Sequence, residues 1–78
     1  MPRLVLYTAP GCHLCERARA TILEARRDVE FEMEEIDITA DADLEARYRE
    51  LLPVVEIDGR RAFAYFVRPD ALRRALAH

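Results

Sequence analysis

Two cysteines stand three positions apart in the run Cys12-His13-Leu14-Cys15, and the 78-residue chain holds no third. They must therefore act on each other, on a partner's thiol, or on a shared metal. The nucleophile in disulfide exchange is the thiolate, and a free cysteine with a pKa of about 8.5 is mostly thiol at neutral pH. An apolar run precedes Cys12 and a helical pattern follows it. Cys12 thus falls at a helix entry, where unpaired backbone N–H groups and the positive end of the helix dipole favour a negative charge. Cys15 lies one turn further on, deeper in the packed face. The spacing predicts that Cys12 attacks a disulfide and that Cys15 then frees the product by attacking Cys12, with no external cofactor.

Other uses of the pair compete poorly. Closing so short a ring contributes only ~2 kcal/mol to a fold, and small secreted domains rely on several bridges across longer loops. A structural zinc site takes four ligands. Only His13, wedged between the cysteines, and the terminal His78 could add to them. We therefore assign no metal to a single chain. A metal or iron–sulfur cluster shared by two copies would complete four ligands, so a metal or iron–sulfur carrier stands as the alternative function. Serine and lysine are absent, which excludes a serine nucleophile and a Schiff-base lysine.

The elements around the pair follow from local patterns. Leu4-Val5-Leu6-Tyr7 is a continuous apolar run, as in a central strand covered on both faces. Thr8-Ala9-Pro10-Gly11 breaks it and delivers Cys12 to the surface. From Cys12 or His13 to about Arg27 the chain reads as helix, with Cys15, Ala18, Ile22 and Ala25 on one face. Val29, Phe31 and Met33 alternate with glutamates as a second strand. The alternation slips at Glu34-Glu35, which predicts a bulge or a change of face. Thr39 or Asp41 caps a second helix carrying Leu44, Tyr48 and Leu51, and Pro53 stops it. Val54 to Ile57, the turn Asp58-Gly59, and Arg60 to Phe66 form a hairpin. Pro69 opens a last helix with Leu72, Ala75 and Leu76 inward. Tyr7, Phe31, Tyr48, Phe63 and Phe66 fall at core-compatible positions, while Tyr65 is out of phase and faces solvent. Arg17 and Arg19 read as solvated ion pairs, with substrate contact as the alternative for each. The order β-α-β-α-β-β-α predicts an α/β fold with a four-stranded mixed sheet and three helices.

A net charge of −3 with scattered arginines leaves no footprint for nucleic acid. No apolar run approaches the ~18 residues of a membrane helix, and no signal-peptide core follows Met1. The expectation is one domain over residues 1–78, monomeric and cytoplasmic.

With the run from Tyr7 to Cys15, and with Leu52-Pro53-Val54-Val55 ahead of a hairpin, the chain resembles the glutaredoxin family of thioredoxin-fold proteins. It is most similar to the small glutaredoxin-like branch whose active site reads C-x-L-C, over nearly its whole length. Glu35-Ile36-Asp37-Ile38 also resembles the family's second strand. The resemblance implies a thiol–disulfide oxidoreductase that reduces protein or small-molecule disulfides, with Cys12 as nucleophile and Cys15 as resolving thiol. It implies a cis Pro53 against the disulfide, and a Leu52 that offers main-chain hydrogen bonds to an extended substrate. His13, if protonated beside Cys12, would stabilise the thiolate; otherwise it is an exposed helix-start residue. Asp70 is the candidate ligand for an amine. Three departures weaken glutathione as the reductant. Ala9 stands where many glutathione-using members carry lysine, and Leu51-Leu52 replaces Thr-Val. Residues 66–70 also lack the family's glycine pair. A reductase of the thioredoxin-reductase type is an equal candidate as electron donor.

Overall fold

The computed structural model describes residues 1–77. Its first strand, β1 (Arg3–Thr8), buries Leu4, Leu6 and Thr8 on one face and half-buries Val5 and Tyr7 on the other. Helix α1 (His13–Ala25) follows, then β2 (Glu32–Asp37), a 3-10 turn (Ile38–Ala40) and helix α2 (Ala42–Tyr48). The chain closes with β3 (Val54–Ile57), β4 (Arg60–Ala64) and helix α3 (Pro69–Leu76). The sheet order is β2-β1-β3-β4, with β1 parallel to β2 and antiparallel to β3, and β3 antiparallel to β4. This is the thioredoxin-like arrangement: a four-stranded mixed sheet, three helices and the order β-α-β-α-β-β-α.

Two clusters fill the two sides of the sheet. On one, α1 and α3 bring Ala18, Ile22, Ala25, Leu72 and Leu76 onto Leu4, Leu6, Phe31 and Val55. On the other, Ile38, Tyr48 and Val54 pack with half-buried Tyr7, Leu44, Leu51 and Leu52. That second side holds a polar clasp. Glu56 accepts hydrogen bonds from the Tyr48 hydroxyl at 2.9 Å and the Tyr7 hydroxyl at 3.2 Å, and the two rings lie 4.6 Å apart. Burial, then the Glu56 charge, pushes Tyr7 up to about 12.

The elements depart from the sequence-based expectation in several places, and the second strand is one: it starts at Glu32, leaving out Phe31 and Val29, whose N–H is still bonded to the Ala25 carbonyl at 3.0 Å. Helix α1 ends at Ala25 rather than near Arg27, where the chain turns on bonds from the Arg27 N–H to Glu24 and the Asp28 N–H to Ala25. The slip at Glu34-Glu35 is the change of face and not the bulge: β1 and β2 stay in register from Arg3↔Glu32 to Thr8↔Asp37, with Met33 beside Leu4 on the α1 side and Ile36 beside Tyr7 on the other. Glu35 simply occupies the face toward α1, where Arg19 neutralises it. The irregularity lies instead in the hairpin, where Val55 pairs with Phe63 and Glu56 with Arg61, leaving Ala62 as an extra residue.

Helix α2 begins on the Asp41 side chain, which accepts from Asp43 N–H at 2.9 Å and Leu44 N–H at 3.3 Å. It ends at Tyr48, before Leu51 and well before Pro53. Strand β4 ends at Ala64, and Phe66 is 65% exposed, not in the core. The cause is Tyr65, whose N–H is drawn to the carbonyls of Pro53 at 2.9 Å and Leu51 at 3.3 Å. Its φ of 70° takes it out of the strand conformation. The hairpin turn is as expected: Asp58 (φ 52°) and Gly59 (φ 83°) both take the left-handed conformation of a two-residue turn. Among the described residues, no helix is long and apolar enough to cross a membrane.

Candidate active site

Pairing of Tyr7 with Val54 places the C-terminal end of β1 beside the start of β3. The Thr8–Gly11 turn and the Leu52-Pro53 segment therefore share one end of the sheet. Gly11, at φ 76°, supplies the left-handed residue that this turn requires, and Cys12 N–H returns to the Ala9 carbonyl at 3.4 Å. Cys12 then becomes the N-cap of α1 in an extended conformation (φ −89°, ψ 105°). Its sulfur takes the place of the usual capping oxygen and accepts the Cys15 N–H at 3.2 Å. The two sulfurs are joined in a disulfide, with Cα atoms 5.2 Å apart, inside the span a bridge allows. Cys12 is half-buried, while Cys15 retains only 1% of its surface. The pair is therefore asymmetric: Cys12 keeps part of its surface exposed, and Cys15 is enclosed.

The remaining residues singled out from the sequence are placed unevenly. The Leu52-Pro53 peptide bond is cis, and Pro53 is buried. Leu52 is half-buried against Ile38, Tyr48 and Val54. Among the described residues its N–H and C=O enter no backbone hydrogen bond, unlike the carbonyls on either side of it. His13 points into solvent with its side chain 95% exposed, and its contact is Glu16, 3.5 Å from Nδ1. Asp70 is exposed on the first turn of α3, and its ionic contact is Arg74 at 3.7 Å. Among the described residues, no three His, Cys, Asp or Glu side chains stand together as metal ligands.

Two clefts flank the start of α1. A polar one is lined by Thr8, Ala9, Pro10, Arg19, Glu35 and Asp37. There Arg19 Nε donates to Glu35 at 2.8 Å, a second guanidinium N–H grips the other oxygen, and the Thr8 hydroxyl donates at 3.5 Å. The Arg19 hydrogen bond is the main reason Glu35 sits below the ordinary carboxylate range. Across the helix lies a groove of about 370 Å³ between Leu14, Arg17, Ala18 and Thr21 on α1 and the segment Tyr65-Phe66-Val67. Tyr65 and Phe66 are 44% and 65% exposed. Reading Phe66 as core hid this groove. The available signal was the adjacency of the two aromatics, which a strand must point to opposite faces.

Residues 3–77 match the family profile described as a glutaredoxin-like domain (DUF836). The chain is 32% identical over 81 residues to the uncharacterized protein Rv0508 of Mycobacterium tuberculosis, covering 97% of this chain and 84% of that one. The X-ray structure of protein XcR50 from X. campestris superimposes with a TM-score of 0.77 at 32% identity over 95% of both chains. The solution structure of Ne2328 from Nitrosomonas europaea does so at 0.82 and 30% identity, over 96% of this chain and 91% of that one. Chloroplastic thioredoxin z aligns at a TM-score of 0.80 over 99% of this chain and 76% of its own, and at 16% identity shares the fold alone.

Proposed function

The chain belongs to the glutaredoxin-like domain family, and on that premise we propose that it is a dithiol–disulfide oxidoreductase acting on protein or small-molecule disulfides. The observation that carries this reading is the asymmetry of the pair: Cys12 half-buried at a helix N-cap, Cys15 enclosed. In the reduced protein, Cys12 thiolate attacks one sulfur of the substrate disulfide. That S–S bond breaks, the distal thiolate leaves and takes up a proton, and a mixed disulfide joins Cys12 to the substrate. The Cys15 thiol then loses its proton and attacks Cys12 Sγ. The second substrate thiolate departs, and the Cys12–Cys15 disulfide remains, with two electrons passed to the substrate. An external dithiol or two equivalents of a monothiol restore the starting state.

The Cys15 N–H that reaches the Cys12 sulfur would help stabilise the first thiolate, as helix N-termini do for reactive cysteines. Leu52, with its main-chain N–H and C=O unengaged among the described residues, is suited to pair with an extended substrate backbone. A cytoplasmic setting fits a dithiol that must be kept reduced.

Cys12→Ser should abolish turnover with a model disulfide, and Cys15→Ser should accumulate a covalent mixed disulfide visible by mass spectrometry. Full activity in Cys12→Ser would refute the assignment. Visible absorbance after anaerobic purification would favour the carrier alternative. The donor is resolved by potential: about −200 to −230 mV with glutathione turnover marks a glutaredoxin-type role, about −270 mV a thioredoxin-like one.

A further inference from the structure

The groove beside the cysteines combines three features. It opens on the motif itself, since Leu14, between the two cysteines, forms part of its wall. Its opposite wall carries a pair of exposed aromatics, Tyr65 and Phe66. Tyr65 keeps a left-handed φ of 70°, which costs a non-glycine residue free energy. Its N–H is bonded to the Pro53 and Leu51 carbonyls. The wall is thereby tied to the cis-proline segment at the same end of the sheet.

The third feature is charge. The chain carries 15 acidic residues against 12 basic ones, yet among the described residues no acid lines this groove, and the one charged side chain there is Arg17. Arg17 makes no ion pair among the described residues. Glu16, its neighbour in sequence, contacts His13. Arg68, just past the groove's aromatic wall, is likewise exposed and without an ion pair among the described residues. An apolar groove with a free cation at its side matches an apolar side chain followed by a carboxylate.

We infer that this groove docks a segment of the substrate protein adjacent to its disulfide cysteine, seating an aliphatic or aromatic side chain against Leu14 and Phe66 and an Asp or Glu against Arg17. The inference rests on the oxidoreductase reading and names the substrate class for that site: acidic–apolar peptide disulfides. Glutathione offers carboxylates but no apolar side chain for the groove.

The test uses three synthetic peptides, each with its cysteine as a mixed disulfide with 2-mercaptoethanol. Downstream of the cysteine they carry Leu-Glu, Leu-Lys or Gly-Gly. Release of peptide thiol from pre-reduced full-length protein is followed by chromatography. Each rate is divided by the same variant's rate with bis(2-hydroxyethyl) disulfide, so that changes in cysteine reactivity cancel. The Leu-Glu peptide should react about tenfold faster than Gly-Gly, from apolar burial. It should exceed Leu-Lys about fivefold, as an exposed charge contact permits, and that second ratio should shrink at high salt. Arg17→Glu should invert the Leu-Glu over Leu-Lys preference while Arg17→Lys keeps it, and Phe66→Ala should bring Leu-Glu down toward Gly-Gly. Equal normalised rates for the three peptides, or an unchanged ranking in Arg17→Glu, would overturn the docking assignment alone. Failure of the parent to reduce bis(2-hydroxyethyl) disulfide would overturn the oxidoreductase reading, and the docking assignment with it.

Discussion

Arg17 and Arg19 leave the same helix two residues apart and reach opposite clefts. On the Arg19 side, the guanidinium is spent on Glu35, a carboxylate on the strand below, and Thr8 adds a second donor to the same group. On the Arg17 side, the helix faces Tyr65, Phe66 and Val67, and among the described residues no carboxylate closes the charge. One cleft is satisfied from within and serves the fold. The other leaves an apolar wall and a cation for something outside the chain. Residue type does not decide which role an arginine plays; the partner waiting across the gap does.

Exchanging those roles is the most forceful way to break the comparison. Glu35→Lys would set two cations against each other beside buried Thr8, with no acid left to hold them. The thermal midpoint should fall by roughly 5 °C or more, while the normalised peptide ranking stays that of the parent. Arg17→Glu should do the reverse, leaving the midpoint near its starting value and changing the ranking. Scanning calorimetry and the peptide assay together check both halves. A Glu35→Lys protein as stable as the parent would mean that the polar cleft contributes nothing to the fold.

The halves of this comparison were unequally legible in the sequence. Strand, turn and helix around Cys12 follow from contacts a few residues apart, so their order and the exposed-then-buried cysteines could be read directly. The Asp58-Gly59 turn is legible for the same reason. The cis Pro53 came through family resemblance, since a proline after a helical pattern equally suggests a helix stop. What escaped depends on distant partners. Glu35 lies 16 residues from Arg19, so nothing local distinguished Arg19 from Arg17, and a glutamate paired on the α1 face of its strand left a bulge and a change of face equally readable. Phe66 was misplaced because the bend at Tyr65 depends on carbonyls at Leu51 and Pro53, on another segment.

Tyr65→Gly sharpens the contrast on the open side. Glycine takes a positive φ without steric penalty, so relief of the left-handed conformation should raise stability by about 1 kcal/mol, less what the mobile glycine loses in the unfolded chain. The same change strips one aromatic from the groove, and the normalised rate for the Leu-Glu peptide should drop roughly threefold. Urea unfolding and peptide kinetics moving in opposite directions would identify Tyr65 as strain kept for function. A loss of stability would show that the ring packs the fold instead.

The subtlest effect concerns the charge, as distinct from the shape, of the closed cleft. Glu35→Gln keeps an oxygen for Arg19 and Thr8 but removes the ionisation. Because Arg19 holds the Glu35 carboxyl below the ordinary range, the folded parent binds its proton less readily than the unfolded chain does. The ionised pair therefore adds stability above the unfolded carboxyl's pKa of about 4.3. That addition fades as the pH falls through the depressed folded value. The stability gap between parent and Glu35→Gln should be widest near neutrality, narrow below about pH 4.3, and vanish once Glu35 is protonated in both states. Paired urea titrations across this range measure it directly. A gap that persisted undiminished at low pH would trace the difference to packing, and the polar cleft would owe its closure to fit, not to the charge that Arg19 finds there and Arg17 does not.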